Sequence, residues 1–111
     1  LLGKEGSGDF YARSEEILRK KSMMENKGKI LVIIPAYNEE GSVGKVLEGV
    51  KQYLPGVDAL AVNDGSTDLT SEKAGVSGAI VLDLPFNLGI GEAMQAGCQY
   101  AFGKGYGIPS G

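Results

Sequence analysis

Residues 30–40 read I-L-V-I-I-P-A-Y-N-E-E, and residues 60–70 read L-A-V-N-D-G-S-T-D-L-T. Each is a short apolar run that passes straight into a loop bearing Pro, Asn, Asp or Glu. A continuous β-branched and aliphatic run marks a strand buried on both faces, the kind found in parallel sheets covered by helices. Two such loops at the carboxyl ends of neighbouring parallel strands form one ligand crevice. From Lys29 onward the pattern is β-α-β-α-β-α. The first strand covers residues 30–34 and is ended by Pro35, which has no N–H to donate. A helix follows over about residues 40–54, with Val43, Val46, Leu47, Val50 and Leu54 on one apolar face. Gly41, Gly44 and Gly49 weaken it intrinsically, so it depends on the sheet beneath. Pro55-Gly56 stops it. A second strand (58–62), a short helix (69–74), a third strand (79–84) and a last helix (89–102) complete the series. In the last helix Ile90, Met94, Gly97, Cys98 and Ala101 share a face. Connections this short imply parallel strands joined by right-handed crossovers.

Residues 1–28 differ: they are polar and charged, with no obvious strand. Residues 14–21 (S-E-E-I-L-R-K-K) can form a short helix with acids in its first turn and bases in its last. Met23 or Met24 is a candidate start site. The division expected is a polar N-terminal extension (1–28) and a folded unit (29–111). A chain of 111 residues is one domain or part of one. Its net charge of -3 argues against nucleic-acid binding and electrostatic membrane attachment. With no His, neither a His base nor a His metal ligand is available. The single cysteine, Cys98, excludes an internal disulfide framework, and its spacing fits a small buried residue. No apolar run approaches the roughly 20 residues that cross a bilayer, and the opening residues do not read as a signal peptide. A cytoplasmic location is therefore expected.

Chemistry concentrates in three loops. In P-A-Y-N-E-E the chain turns above the sheet after Pro35 and Ala36. Tyr37 offers a ring face for a base and a hydroxyl for hydrogen bonding. Glu39, an acceptor only, suits ribose hydroxyls or a base N–H. Taken alone, acids at a helix start explain Glu39 and Glu40 equally well. In V-N-D-G-S-T-D, Asn63 and Asp64 end a buried strand, where polar groups are costly unless used. Gly65 permits a turn with positive φ, and Thr67 and Asp68 suit capping of the next helix. In the third loop, Asn87-Leu88-Gly89-Ile90-Gly91 opens a helix, and bare N–H groups there can face a phosphate. Equally, these glycines can serve a tight turn and close packing. A dinucleotide fingerprint would need Gly where Met94 stands.

Taken in order, the three motifs resemble family 2 glycosyltransferases of the GT-A type, especially members using polyprenyl-phosphate acceptors. The resemblance covers roughly residues 29–106. It implies a three-layer α/β/α, parallel-sheet, nucleotide-diphospho-sugar-binding (GT-A, Rossmann-like) fold. It also implies a site lined by Pro35, Ala36, Tyr37, Glu39, Asn63, Asp64, Asn87 and Gly89. The family often carries two acids where this chain has Asn63-Asp64, which bears on base preference and not on fold. Such enzymes continue into a strand ending in paired aspartates that hold Mg or Mn. Here Gly105-Tyr106 stands where that strand is due, and Pro109 is hostile to a central strand. The expectation is a truncated, N-terminal donor-binding part with no catalytic residue or metal ligand of its own. The resemblance implies a UDP- or GDP-linked sugar as donor and lipid phosphate as the candidate acceptor class. The alternatives are a non-catalytic nucleotide-binding module and an inactive fragment. Three strands make a small core, and exposed sheet edges favour self-association.

Overall fold

The computed structural model describes residues 23–108. The helix expected over residues 14–21 lies outside them. The order of elements is β1 (Met23–Asn26), β2 (Lys29–Ala36), α1 (Val43–Tyr53), β3 (Asp58–Asn63), α2 (Thr70–Val76), β4 (Ile80–Asp83) and α3 (Ile90–Gly103). The strands form one sheet in the order β1-β2-β3-β4. β2, β3 and β4 are parallel, as the buried runs and helical connections require.

The sheet is mixed and not purely parallel, because β1 runs antiparallel to β2. A strand therefore lies inside the stretch read as strandless. Lys27 and Gly28 have φ of 53° and 86°. Two consecutive positive φ values fit the tight turn whose twist matches a hairpin. Met24 pairs with Leu31 and is buried on the face that α3 covers.

β2 also runs past its expected end: Pro35 lies within it, opposite Val62. Pairing with β1 stops at Val32, so no β1 residue needs a donor from position 35. α1 begins at Val43, three residues later than expected.

Strand alternation sorts the core into two layers. On one face Val32, Ile34 and Ala36 of β2, with Ala59 and Ala61 of β3, meet Val43, Val46, Leu47 and Val50 of α1 and Ala74 of α2. On the other, Leu31, Ile33, Leu60 and Val62 meet Ala93 and Ala101 of α3. The result is three layers, α/β/α. The buried line of α3 is Ala93, Gly97 and Ala101, with Met94 and Cys98 half-buried beside it. Ile90, expected on that face, is 44% exposed. Small residues at four-residue spacing let the helix lie against the sheet, and a bulky Ile at its first position is turned outward. Among the described residues no helix is long and apolar enough to cross a membrane.

Candidate functional site

The carboxyl ends of β2, β3 and β4 share one rung: Ala36 pairs with Asn63, and Asn63 with Asp83. Each strand then opens into one of the three loops read from the sequence, so the topology gathers all three motifs at one edge.

Hydrogen bonds stitch the first two loops together. The Asn38 N–H donates to Ser66 Oγ (2.9 Å), and Asn38 Oδ1 accepts from the Thr67 N–H (2.9 Å). Asn38 has φ of 52°, a left-handed conformation that Asn tolerates better than most residues. The Glu39 N–H donates to Thr70 Oγ1 (2.7 Å), and the Glu40 N–H to Asp68 Oδ2 (3.2 Å). Glu40 Oε1 accepts from the Leu69 N–H (3.0 Å). Glu40 thus serves the entry to α2 and not the start of its own helix, whose first turn holds no acid. Asp68 Oδ1 accepts from the Thr70 N–H (2.9 Å) and its hydroxyl, so Asp68, expected as a cap, instead braces the first turn of α2 from the residue before its N-cap, Leu69, which makes no side-chain cap bond. Thr67 does not brace it; its hydroxyl donates to Asn38 Oδ1 (3.4 Å). Desolvation acts to raise the Asp68 carboxyl pKa, but the Thr70 hydroxyl and the N–H groups of Thr70 and Glu40 outweigh it. The group sits below its ordinary 3.8.

Asn63 joins strands as well as loops. Its Nδ2 donates to Asp83 Oδ1 (2.9 Å), and its Oδ1 accepts from the Ser66 N–H (3.1 Å). This double duty needs an amide, since a carboxylate cannot donate. An acid at position 63 would face Asp83 across the ladder, which accounts for Asn in this chain. Asp83 was not singled out from the sequence, because its pairing with Asn63 depends on strand register.

The third loop is tied to Asp64, which is fully buried. Its carboxylate accepts from the N–H groups of Leu88 (2.8 Å) and Gly89 (2.9 Å) and from Asn87 Nδ2 (3.1 Å). The N–H groups expected to face a phosphate at residues 88 and 89 are therefore directed into the protein. Gly89 has φ of 100° and stands at the N-cap of α3.

The structure brings all eight expected site residues to this edge. Pro35 and Ala36 end β2, and Glu39 is buried, with its carboxylate accepting from the Tyr37 N–H (3.3 Å). Tyr37 is half-buried and Asn87 exposed, so these side chains face solvent most directly. Among the described residues no three His, Cys, Asp or Glu side chains gather to hold a metal ion.

Three polar loops at the carboxyl ends of adjacent parallel strands, with helices packed on both faces of the sheet, define an α/β protein of the open-sheet kind. The chain belongs to glycosyl transferase family 2, which residues 31–108 match. It is 38% identical over 91 residues to an uncharacterized protein of Methanocaldococcus jannaschii, covering 78% of this chain and 36% of that protein. It is 40% identical over 67 residues to 4,4'-diaponeurosporenoate glycosyltransferase of Staphylococcus aureus, in the bovine RF122 and USA300 strains alike. That match covers 60% of this chain and 18% of the relative. The chain thus spans about a third or less of the curated relatives it matches.

Proposed function

We propose that this chain is the donor-binding part of a GT-A glycosyltransferase that moves a sugar from a UDP- or GDP-linked donor to an acceptor, with polyprenyl phosphate as the acceptor class. In this reading the whole enzyme works at the cytoplasmic face of a membrane. The observation that carries the proposal is the stitching of three polar loops, which leave three adjacent parallel strands at one rung and hydrogen-bond to one another. Tyr37 stacks on the base, and Glu39 accepts from ribose hydroxyls. Pro35, Ala36, Asn63 and Asp64 shape the floor, and Asn87 and Gly89 form the far wall. The described residues do not fit the divalent Mg or Mn that the whole enzyme would use to offset diphosphate charge, and no step of this reading runs through it.

Isothermal titration of the 111-residue chain with UDP and with GDP tests the reading. Binding of at least one nucleotide is expected, weakened about tenfold by Tyr37→Ala, in keeping with the roughly 1–3 kcal/mol of base–aromatic stacking. Flat titrations with both nucleotides, on a chain shown to be folded by circular dichroism, would sink it.

A further inference from the structure

We infer that Asp64 is a positioning residue, a buried fastener that holds residues 86–89 as the third wall of the proposed site and occupies, from inside the protein, the Leu88 and Gly89 N–H groups just ahead of α3. Asp64 follows β3 immediately, and on the alternation of the strand it points to the α3 face. Its exposure is 0%. Oδ1 takes the Leu88 N–H at 2.8 Å, and Oδ2 takes the Gly89 N–H at 2.9 Å. Asn87 Nδ2 bridges Oδ2 and the Asp64 carbonyl oxygen, both at 3.1 Å. Backbone N–H groups donating to a carboxylate are charge-assisted and stronger than neutral pairs.

The next residue addresses the same segment by a different means. Gly65 has φ of 75°, and a Cβ there would stand 2.4 Å from both Asn87 N and Phe86 C. Two consecutive residues therefore fix one loop, one by charge and one by the absence of a side chain. Neither contribution depends on a ligand. A donor phosphate cannot take the Leu88 and Gly89 N–H groups without displacing Asp64. Substituting Asp64 thus acts on binding through the loop.

The inference rests on the nucleotide reading only for the ligand. The test is amide hydrogen exchange on the 15N-labelled 111-residue chain, followed by UDP and GDP titration. In the unsubstituted chain the Leu88 and Gly89 amides are protected. Asp64→Asn leaves one oxygen where two accepted, so at least one of these amides exchanges about tenfold faster or more. The Ile33, Leu60 and Val62 amides stay as they were, and nucleotide affinity falls about tenfold. Gly65→Ala, which changes no hydrogen-bonding side chain, loosens the same two amides. If Asp64→Asn does not fold, Asn87→Ala takes its place, since it removes two donations from an exposed side chain and is expected to quicken exchange at Leu88 and Gly89. Unprotected amides in the unsubstituted chain overturn the inference. So does a loss of nucleotide affinity in Asp64→Asn with loop exchange unchanged, which would make Asp64 a direct ligand contact. An unsubstituted chain that binds neither nucleotide refutes the nucleotide reading alone, and the exchange data then decide the fastener.

Discussion

Gly97→Ala is expected to destabilise the chain, although alanine is the better helix former. Gly97 lies within α3 and is buried against the sheet. A Cβ at this position would stand 2.6 Å from Ile33 Cγ2 and 3.0 Å from Val62 Cγ2. Carbon atoms in contact rest about 3.5–4.0 Å apart, so the overlap with Ile33 is about 1 Å. Ile33 and Val62 are buried and β-branched, with χ1 angles that yield little. Relief therefore requires α3 to lift from β2 and β3. Overpacking of this kind costs about 1–3 kcal/mol, while replacing glycine in a helix returns roughly 0.8–1.0 kcal/mol. The net loss is about 0–2 kcal/mol. Gly91→Ala supplies the control, because it sits in the same helix and its Cβ would meet nothing within 4 Å. Gly91 is the second residue of α3, where the helix-propensity gain is no larger than at Gly97, so the difference between the variants is a lower bound on the overpacking of about 1–3 kcal/mol. Urea unfolding followed by circular dichroism resolves this. With a slope of about 1–3 kcal/mol per molar urea, the Gly97→Ala midpoint should fall below that of Gly91→Ala by roughly 0.5–2 M. Equal midpoints, or a more stable Gly97→Ala, would refute the close approach of α3 to the sheet.

Asn63→Asp should weaken nucleotide binding several-fold by setting two carboxylates across the β3–β4 ladder, and Asn63→Asp with Asp83→Asn should restore it; a double variant no better than the single one contradicts the pairing. Thr70→Val is expected to cost about 1–3 kcal/mol in denaturant unfolding, because the buried Thr70 oxygen accepts the Glu39 N–H at 2.7 Å and valine leaves that donor unsatisfied. The lowered Asp68 pKa means that its contribution to stability is present above its ordinary 3.8 and is lost as pH falls through the lower folded value. Asp68→Asn should therefore be less stable than the unsubstituted chain near neutral pH, with the gap closing as pH falls below 3.8 and through the lower folded value; a gap that stays constant with pH would contradict the stitch through its carboxylate.

The strands and helices from residue 29 onward were legible because apolar runs and Gly or Pro punctuation alternate cleanly there. β1 was not, since M-M-E-N is short and half polar, and its turn uses Lys27 and Gly28 in place of the usual Asn-Gly. Its strand character comes from pairing with β2. The three loops were visible as a set because each directly follows a strand. What each side chain does within them was less visible. Glu40 and Asn38 reach residues nearly thirty positions away, and Asn63 answers to Asp83 only through register. Local sequence shows which groups are polar at a strand end, but not which of them the neighbouring loop consumes. Ile90 shows the same limit, since helical spacing places it on the buried face of α3 but the start of the helix lies beyond the sheet's cover.

After α3 the chain returns to the first strand, where Glu25 and Gly107 exchange two hydrogen bonds, each 2.8 Å, and Asn26 Nδ2 donates to the Lys104 carbonyl at 3.4 Å. Nearly the whole described chain is enclosed between these partners, so the closing pair pays its loop entropy only after everything between has docked. It should form late in folding and open early in unfolding. The two ends of the described fold thereby share one fate: a substitution in β1 should be felt at the exit of α3, and a change at Gly107 should alter how firmly β1 stays zipped to the sheet.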